Sequence, residues 1–229
     1  MAGGETRSAW HPAAALPLLL IVGPYYVNKF VYIAHPGDYP VFIATDYAVR
    51  LVTLVALLLV ARAAPDAFVV PWRLTVTGVR DAVLAAAGTL ILVVADVLTA
   101  PGKDWLDDLT GRLTHYPTPP GPTFAAIDNS FGMVLTGLSE EAIFRFYLIN
   151  VLLWRGLTRR GALAGSTLLF AAIHWSYGGG SVAYAAFAGL VLALFYVSTR
   201  NLIVPVLVHI AVDIYYFTDT DVALRHLVW

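Results

Sequence analysis

Apolar residues in this chain come in long blocks separated by short polar or Gly/Pro-containing punctuation, with none of the strict alternation that marks a half-buried strand. A helix needs about 20 mostly apolar residues to cross a hydrocarbon layer. Seven blocks approach that length, at residues 13–34, 43–62, 80–99, 125–154, 159–175, 181–199 and 201–217. The pattern predicts an all-α fold, a polytopic transmembrane helix bundle of about seven spans. The fourth block is too long for one straight crossing. Asp128, Asn129 and Gly132 in its first part suggest an interfacial or partly re-entrant helix that leads into a span beginning near Leu138. The first block is continued by Tyr25, Tyr26 and Lys29 and reads as a retained span rather than a cleaved signal. Between Pro101 and Thr123 the prolines at 117, 119, 120 and 122 and the aspartates at 104, 107 and 108 predict a polar connection. Residues 1–229 are expected to form a single integral membrane domain, since no repeat or low-complexity segment divides them.

Composition agrees with this reading and removes several functions. Hydrophobic residues make up 59% of the chain and charged residues 13%, too few polar groups to cover a water-soluble globule. The mean hydropathy is +0.73. Lys+Arg and Asp+Glu nearly cancel, at 14 and 15, so no basic field exists to attract nucleic acid. Without cysteine there can be no disulfide, thiolate metal site or thiol nucleophile, and any catalysis must use oxygen and imidazole groups. On seven spans, Arg7, Arg62, Arg73, Arg80, Arg155, Arg159, Arg160 and Arg200 fall on the side of the N-terminus, against Lys103, Arg112 and Arg225 on the other. Short cytoplasmic loops collect basic residues. The expectation is a cytoplasmic N-terminus, an external C-terminus and a multi-pass protein of a prokaryotic plasma membrane, the last from its Ala, Val, Gly and Arg content and short loops.

Ionisable residues inside spans are costly and need a partner or a task. Asp46 and Arg50 have the i,i+4 spacing of an intrahelical ion pair, and together with Asp96 they read as structural. Glu140 and Glu141 are different, standing side by side in Ser-Glu-Glu-Ala-Ile-Phe-Arg at the start of a span. On an α-helix Glu141 shares a face with Arg145, while Glu140 points about 100° away. Arg145 can then neutralise Glu141 and leave Glu140 free as a general base. His174 and His209 lie in later spans, the latter followed four residues on by Asp213. Counted along their helices, Glu140 and His174 reach the same depth with Asp213 close to it, and Pro205 is expected to bend the last span toward them. The bland alternative for each histidine is a helix–helix hydrogen bond.

Glu-Glu-Ala-Ile-Phe-Arg (140–145), Phe-Ala-Ala-Ile-His (170–174) and His-Ile-Ala-Val-Asp (209–213) resemble the three ordered motifs E-E-x-x-x-R, F-x-x-x-H and H-x-x-x-(N/D) of the CPBP intramembrane proteases. That family includes the type II CAAX prenyl endopeptidases and the bacteriocin-processing and immunity (Abi) proteins. The resemblance covers roughly residues 124–217, within the last four spans, and implies a catalytic core there. It implies a glutamic-type endopeptidase acting on a membrane-anchored or lipid-modified protein or peptide within the lipid bilayer, through CAAX-type or C-terminal sorting-signal processing. By this resemblance Glu140 and His174 activate a water, and His209 and Asp213 stabilise the oxyanion or orient the site. Glu141, Arg145 and Phe170 are supporting residues. The departure is Asp213, where the prenyl endopeptidases usually have asparagine. Asparagine can donate N–H to an oxyanion and an ionised aspartate cannot, so Asp213 is expected to orient His209 as an acceptor.

No cofactor is favoured. A zinc metalloprotease with Glu140, His174 and His209 as ligands is the alternative within the same class, and the absence of H-E-x-x-H argues against it. G-x-S-G and G-x-G-D, the serine and presenilin-type signatures, are also absent, and Gly165-Ser166 reads as a small-residue helix contact. Outside the proteases, a proton-coupled transporter using the same residues would call for inverted repeats or broken helices in corresponding halves. A non-enzymatic immunity or scaffold protein would keep the motifs as packing.

Overall fold

The structure is a computed structural model and describes residues 12–65, 68, 70, 73–218 and 220–229. Arg7, which enters the charge count above, lies outside them. The helices in chain order are α1 (Pro12–Val22), α2 (Pro24–Ala34), α3 (Tyr39–Ala63), α4 (Val79–Thr110), α5 (Pro122–Ile127), α6 (Met133–Glu140), α7 (Ile149–Trp154), α8 (Arg159–Ala172), α9 (Gly179–Thr199), α10 (Ile203–Phe217) and α11 (Thr220–Val228). π-helical turns at Asp128–Gly132 and Glu141–Leu148 join α5, α6 and α7 into one run. Among the described residues there is no strand. Side-chain caps set two of the starts. Asp38 accepts from the Val41 N–H at 3.1 Å to open α3, and Thr158 accepts from Gly161 at 3.1 Å to open α8.

Among the described residues, four stretches are long and apolar enough to cross a membrane: Pro17–Ala34, Tyr39–Ala63, Val79–Thr110 and Gly179–Thr199. α10 and α11, taken together as a bent pair, would make a fifth. The expected seven are not reached. α8 has only 14 residues and α10 only 15, and the 122–154 run alternates between α and π geometry. Hydropathy counts apolar residues without seeing where the backbone changes winding. The sorting of basic residues to two sides presupposed seven crossings, so it does not carry over.

The polar connection expected from Pro101 is shorter than that, because α4 continues through Pro101 to Thr110. Proline has no N–H to give the carbonyl four residues back. That carbonyl, Val97 O, instead accepts from the Trp229 indole N–H at 2.9 Å, which draws the chain's last helix onto α4. Pro205 does not bend α10. It lies in the first turn, where an N–H would have no helical partner.

Two close approaches need glycine. A Cβ on Gly137 would stand 2.7 Å from Ile210 Cγ1 and 3.3 Å from its backbone nitrogen, so α6 and α10 cross here nearly backbone to backbone. At the 178–180 triplet, Gly178 opens α9 with φ +107°, and a Cβ on Gly180 would fall 2.3 Å from Lys103 O. α9 begins against α4, its first amides donating to Thr110 Oγ1 at 2.8 Å and Asp107 Oδ1 at 2.7 Å.

The core is built round the 141–149 stretch, whose residues from Ala142 to Ile149 are all buried, with Phe170, Ala193 and Tyr196 against it. Ser166 donates to Phe144 O at 2.6 Å, tying α8 to the π-helical turn, as expected of a small-residue contact. Asn150 clasps Val70 through its N–H at 2.6 Å and its C=O at 3.2 Å, pinning the α3–α4 connection. Leu51, Val52, Val55, Leu58 and Leu59 of α3 and Val83, Leu90 and Leu98 of α4 face outward. Apolar side chains outside and charged ones inside fit a bilayer and would expose a large apolar patch in water.

Candidate active site

Glu140 ends α6 and Glu141 begins the π-helical turn, a geometry common at functional sites because the wider turn re-aims side chains. The two carboxylates, expected to diverge on an α-helix, converge on the ring of His209 from α10. Glu141 Oε1 accepts from His209 Nδ1 at 2.7 Å, and Glu140 Oε2 stands 3.8 Å from Nε2. The Glu141 contact fixes a proton on Nδ1, since a carboxylate can only accept. Glu141 Oε2 pairs with Arg145 Nε at 3.0 Å, and both residues are fully buried. The Arg145 guanidinium lies 4.0 Å over the Phe170 ring, and its Nη2 reaches Gly189 O at 3.5 Å. Phe170 also meets His174 and His209 edge-on, with centroids at 5.1 and 5.9 Å, so one ring sets the spacing of both imidazoles.

His174 lies just past the end of α8, half-buried. Its Nδ1 donates to Phe170 O at 3.0 Å, which leaves Nε2 of the neutral ring with a lone pair. Glu140, His174, His209 and Asp213 all line one cavity of about 500 Å³, bounded also by Lys29, Asp46 and Arg50.

Glu140 is not the free carboxylate that the sequence suggested. Arg50 Nη1 donates to Glu140 Oε1 at 2.7 Å and contacts Ser139 Oγ at 3.3 Å, while its Nε and Nη2 hold Asp46 at 2.7 and 3.0 Å. Asp46 in turn accepts from Tyr32 at 3.1 Å. Asp46 and Arg50 do form the expected i,i+4 pair, yet Arg50 also bridges from α3 to the first glutamate of the motif. The signal was present as an arginine inside an apolar block. Its reach across 90 positions was not. The orienting contact assigned to Asp213 also falls elsewhere. Asp213 Oδ1 is 3.7 Å from His209 Nε2, beyond a hydrogen bond, and its Oδ2 is buried without a partner. Glu141 orients the ring instead.

Glu140, His174 and His209 would be the ligands of a zinc site. Among the described residues no three His, Asp or Glu side chains are gathered closely enough to hold an ion. Arg50 and Glu141 take Glu140 Oε1 and His209 Nδ1, so Glu140 Oε2 and the Nε2 atoms of the two imidazoles are the donors such a site would use.

An all-helical membrane protein with a buried glutamate–histidine cluster facing an internal cavity is the class that this fold and site define. Residues 123–215 match the family model described as Type II CAAX prenyl endopeptidase Rce1-like. The similarity is to a family of CAAX-type proteases and covers less than half of the chain. The match spans all three motifs and leaves out α1–α4. No curated protein and no solved structure shows significant similarity to the chain.

Proposed function

We propose that this protein is an intramembrane endopeptidase in which Glu140 and His174 activate a water against a peptide bond of a membrane-anchored or lipid-modified protein. Residues 124–217 are its catalytic core within one membrane domain. The observation that carries the reading is the convergence of Glu140, His174 and His209 on a single cavity, with each imidazole held through Nδ1 and so presenting Nε2.

Arg50 occupies Glu140 Oε1, which leaves Oε2 as the oxygen that accepts the proton from water. The water oxygen bonds to the scissile carbonyl carbon, whose oxygen becomes the oxyanion, and His209 Nε2–H, in the imidazolium form, donates to it. The proton on Glu140 then passes to the leaving nitrogen as the C–N bond breaks, giving a carboxylic acid and an amine. His174 Nε2 accepts from the attacking water and orients it. Removing one such oxyanion donor typically costs about 10²–10³ in turnover.

The test is proteolysis of a tagged membrane-precursor library by purified wild type, Glu140→Gln and His174→Ala in detergent, with and without a strong chelator. Cleavage lost in both variants and indifferent to the chelator is the expected result. Cleavage lost with the chelator and restored by Zn²⁺ would replace the mechanism with a metal-dependent one. Cleavage undiminished in both variants would overturn the site.

A further inference from the structure

Arg50 of α3 is a buried guanidinium whose nitrogens are divided between two carboxylates. Nε and Nη2 meet Asp46 Oδ2 and Oδ1 at 2.7 and 3.0 Å, a bidentate pair one helical turn apart. A guanidinium is rigid and planar, so fixing one edge also fixes the direction of the remaining nitrogen. That nitrogen, Nη1, donates to Glu140 Oε1 at 2.7 Å. Asp46 is itself held from α2. Tyr32 donates to Asp46 Oδ1 at 3.1 Å and receives from Asn28 Nδ2 at 3.1 Å, while its ring stacks on that of Phe42 with centroids 4.1 Å apart. Asn28, Tyr32, Asp46, Arg50 and Glu140 are all buried, where a hydrogen bond is stronger than in water and holds its geometry.

The i,i+4 pair with Asp46 would neutralise Arg50 by itself. What the contact to Glu140 adds shows at the other oxygen of that carboxylate, since Oε2 stands 3.8 Å from His209 Nε2, beyond a hydrogen bond. A carboxylate and an imidazolium attract, and a closure of about 1 Å would join them directly. The joined pair would spend the base and the oxyanion donor on each other. Arg50 holds the carboxylate from the side of α3, against the pull of α10.

We propose that Asp46 and Arg50 are positioning residues for the catalytic base: Asp46 fixes the guanidinium, and the guanidinium holds Glu140 off His209 so that both stay open to the substrate. This rests on the protease reading above. It also makes α2 and α3, which lie outside the residues matched by the family model, part of the catalytic apparatus.

The experiment follows cleavage of an internally quenched farnesylated peptide by purified protein in detergent, well below each variant's melting temperature. Arg50→Lys keeps the charge and loses the planar fork, so kcat is expected to fall by about 10²-fold, the cost of moving a catalytic group by about 1 Å, with KM unchanged. Asp46→Asn is expected to lower kcat in the same way, and Asp46→Glu, which still offers two oxygens to the Nε–Nη2 edge, to recover most of it. A merely structural ion pair predicts full activity in Arg50→Lys and losses that track the melts. Wild-type kcat in Arg50→Lys or Asp46→Asn, a loss confined to KM, or no recovery in Asp46→Glu would overturn the proposal. An inactive Glu140→Gln beside such a result leaves the protease reading standing. Glu140→Gln as active as wild type, or a wild type that cleaves nothing, overturns that reading and the positioning with it.

Discussion

Glu141 holds His209 Nδ1 at 2.7 Å, while Asp213 Oδ1 and Glu140 Oε2 stand off Nε2 at 3.7 and 3.8 Å. The three carboxylates around this ring therefore differ in what their loss would do. Glu141 is also the counter-charge of Arg145, and removing one partner of a fully buried pair costs about 3–5 kcal/mol because it strands the other charge. Glu141→Gln should unfold well below wild type in a thermal melt in detergent and lose cleavage with it. Asp213 has a buried oxygen without a partner, so Asp213→Asn should melt at or slightly above the wild-type temperature and keep cleavage. A melt lowered as far in Asp213→Asn as in Glu141→Gln would return the orienting role to Asp213.

The elements owe their spacing to small residues and to a change of helical winding. Gly137 lets α6 and α10 approach until Ile210 Cγ1 is 2.7 Å from where a Cβ would stand. The Ile210 side chain can turn away, but its backbone nitrogen, 3.3 Å from the same point, moves only with the helix. Gly137→Ala should cost about 1–3 kcal/mol as an overpacking change and lower cleavage further by separating Glu140 from His209, the residue just before Ile210 on α10. Gly137→Val should do more of both, as read by melts and by kcat. The motif residues were legible because chemistry at fixed spacing survives in sequence. Glu140, His174 and His209 all stand out in the sequence, and depth along the helices puts Glu140 and His174 at one level with Asp213 close to it. What sequence hid depends on winding and on distant contacts. The π-helical turn at 141–148 brings both glutamates to one ring, where α-helical geometry sends them apart. Arg50 joins Glu140 only because α3 packs on α6. Pro101 looked like the end of a helix, and the donor that lets the helix continue past it, Trp229, lies far along the chain.

At the scale of the whole molecule the cavity has charged clusters at two places, and they are tied to different parts of the fold. Around Glu140 the cluster joins α3, α6 and α10. Around Asp96 it joins α4, α10 and α11: Asp96 is fully buried and accepts from Lys103, from Tyr215 at 3.0 Å, from Tyr216 and from Arg225 at 3.0 Å. The structural role expected of Asp96 fits this arrangement, with its partners drawn from the last helices. Arg225 and the Trp229 contact to Val97 are what hold α11 on α4. Asp96→Asn would remove the carboxylate between Lys103 and Arg225 and leave Arg225 its contact to Asp221 of its own helix at 3.6 Å, so α11 should detach from α4. Limited trypsin digestion reads the detachment: Asp96→Asn should be cut after Arg225 faster than wild type by about tenfold, the rate expected if about 1.4 kcal/mol of docking is lost. Protection at Arg225 equal to wild type would mean that Asp96 neutralises Lys103 alone and that the tail is held by Trp229.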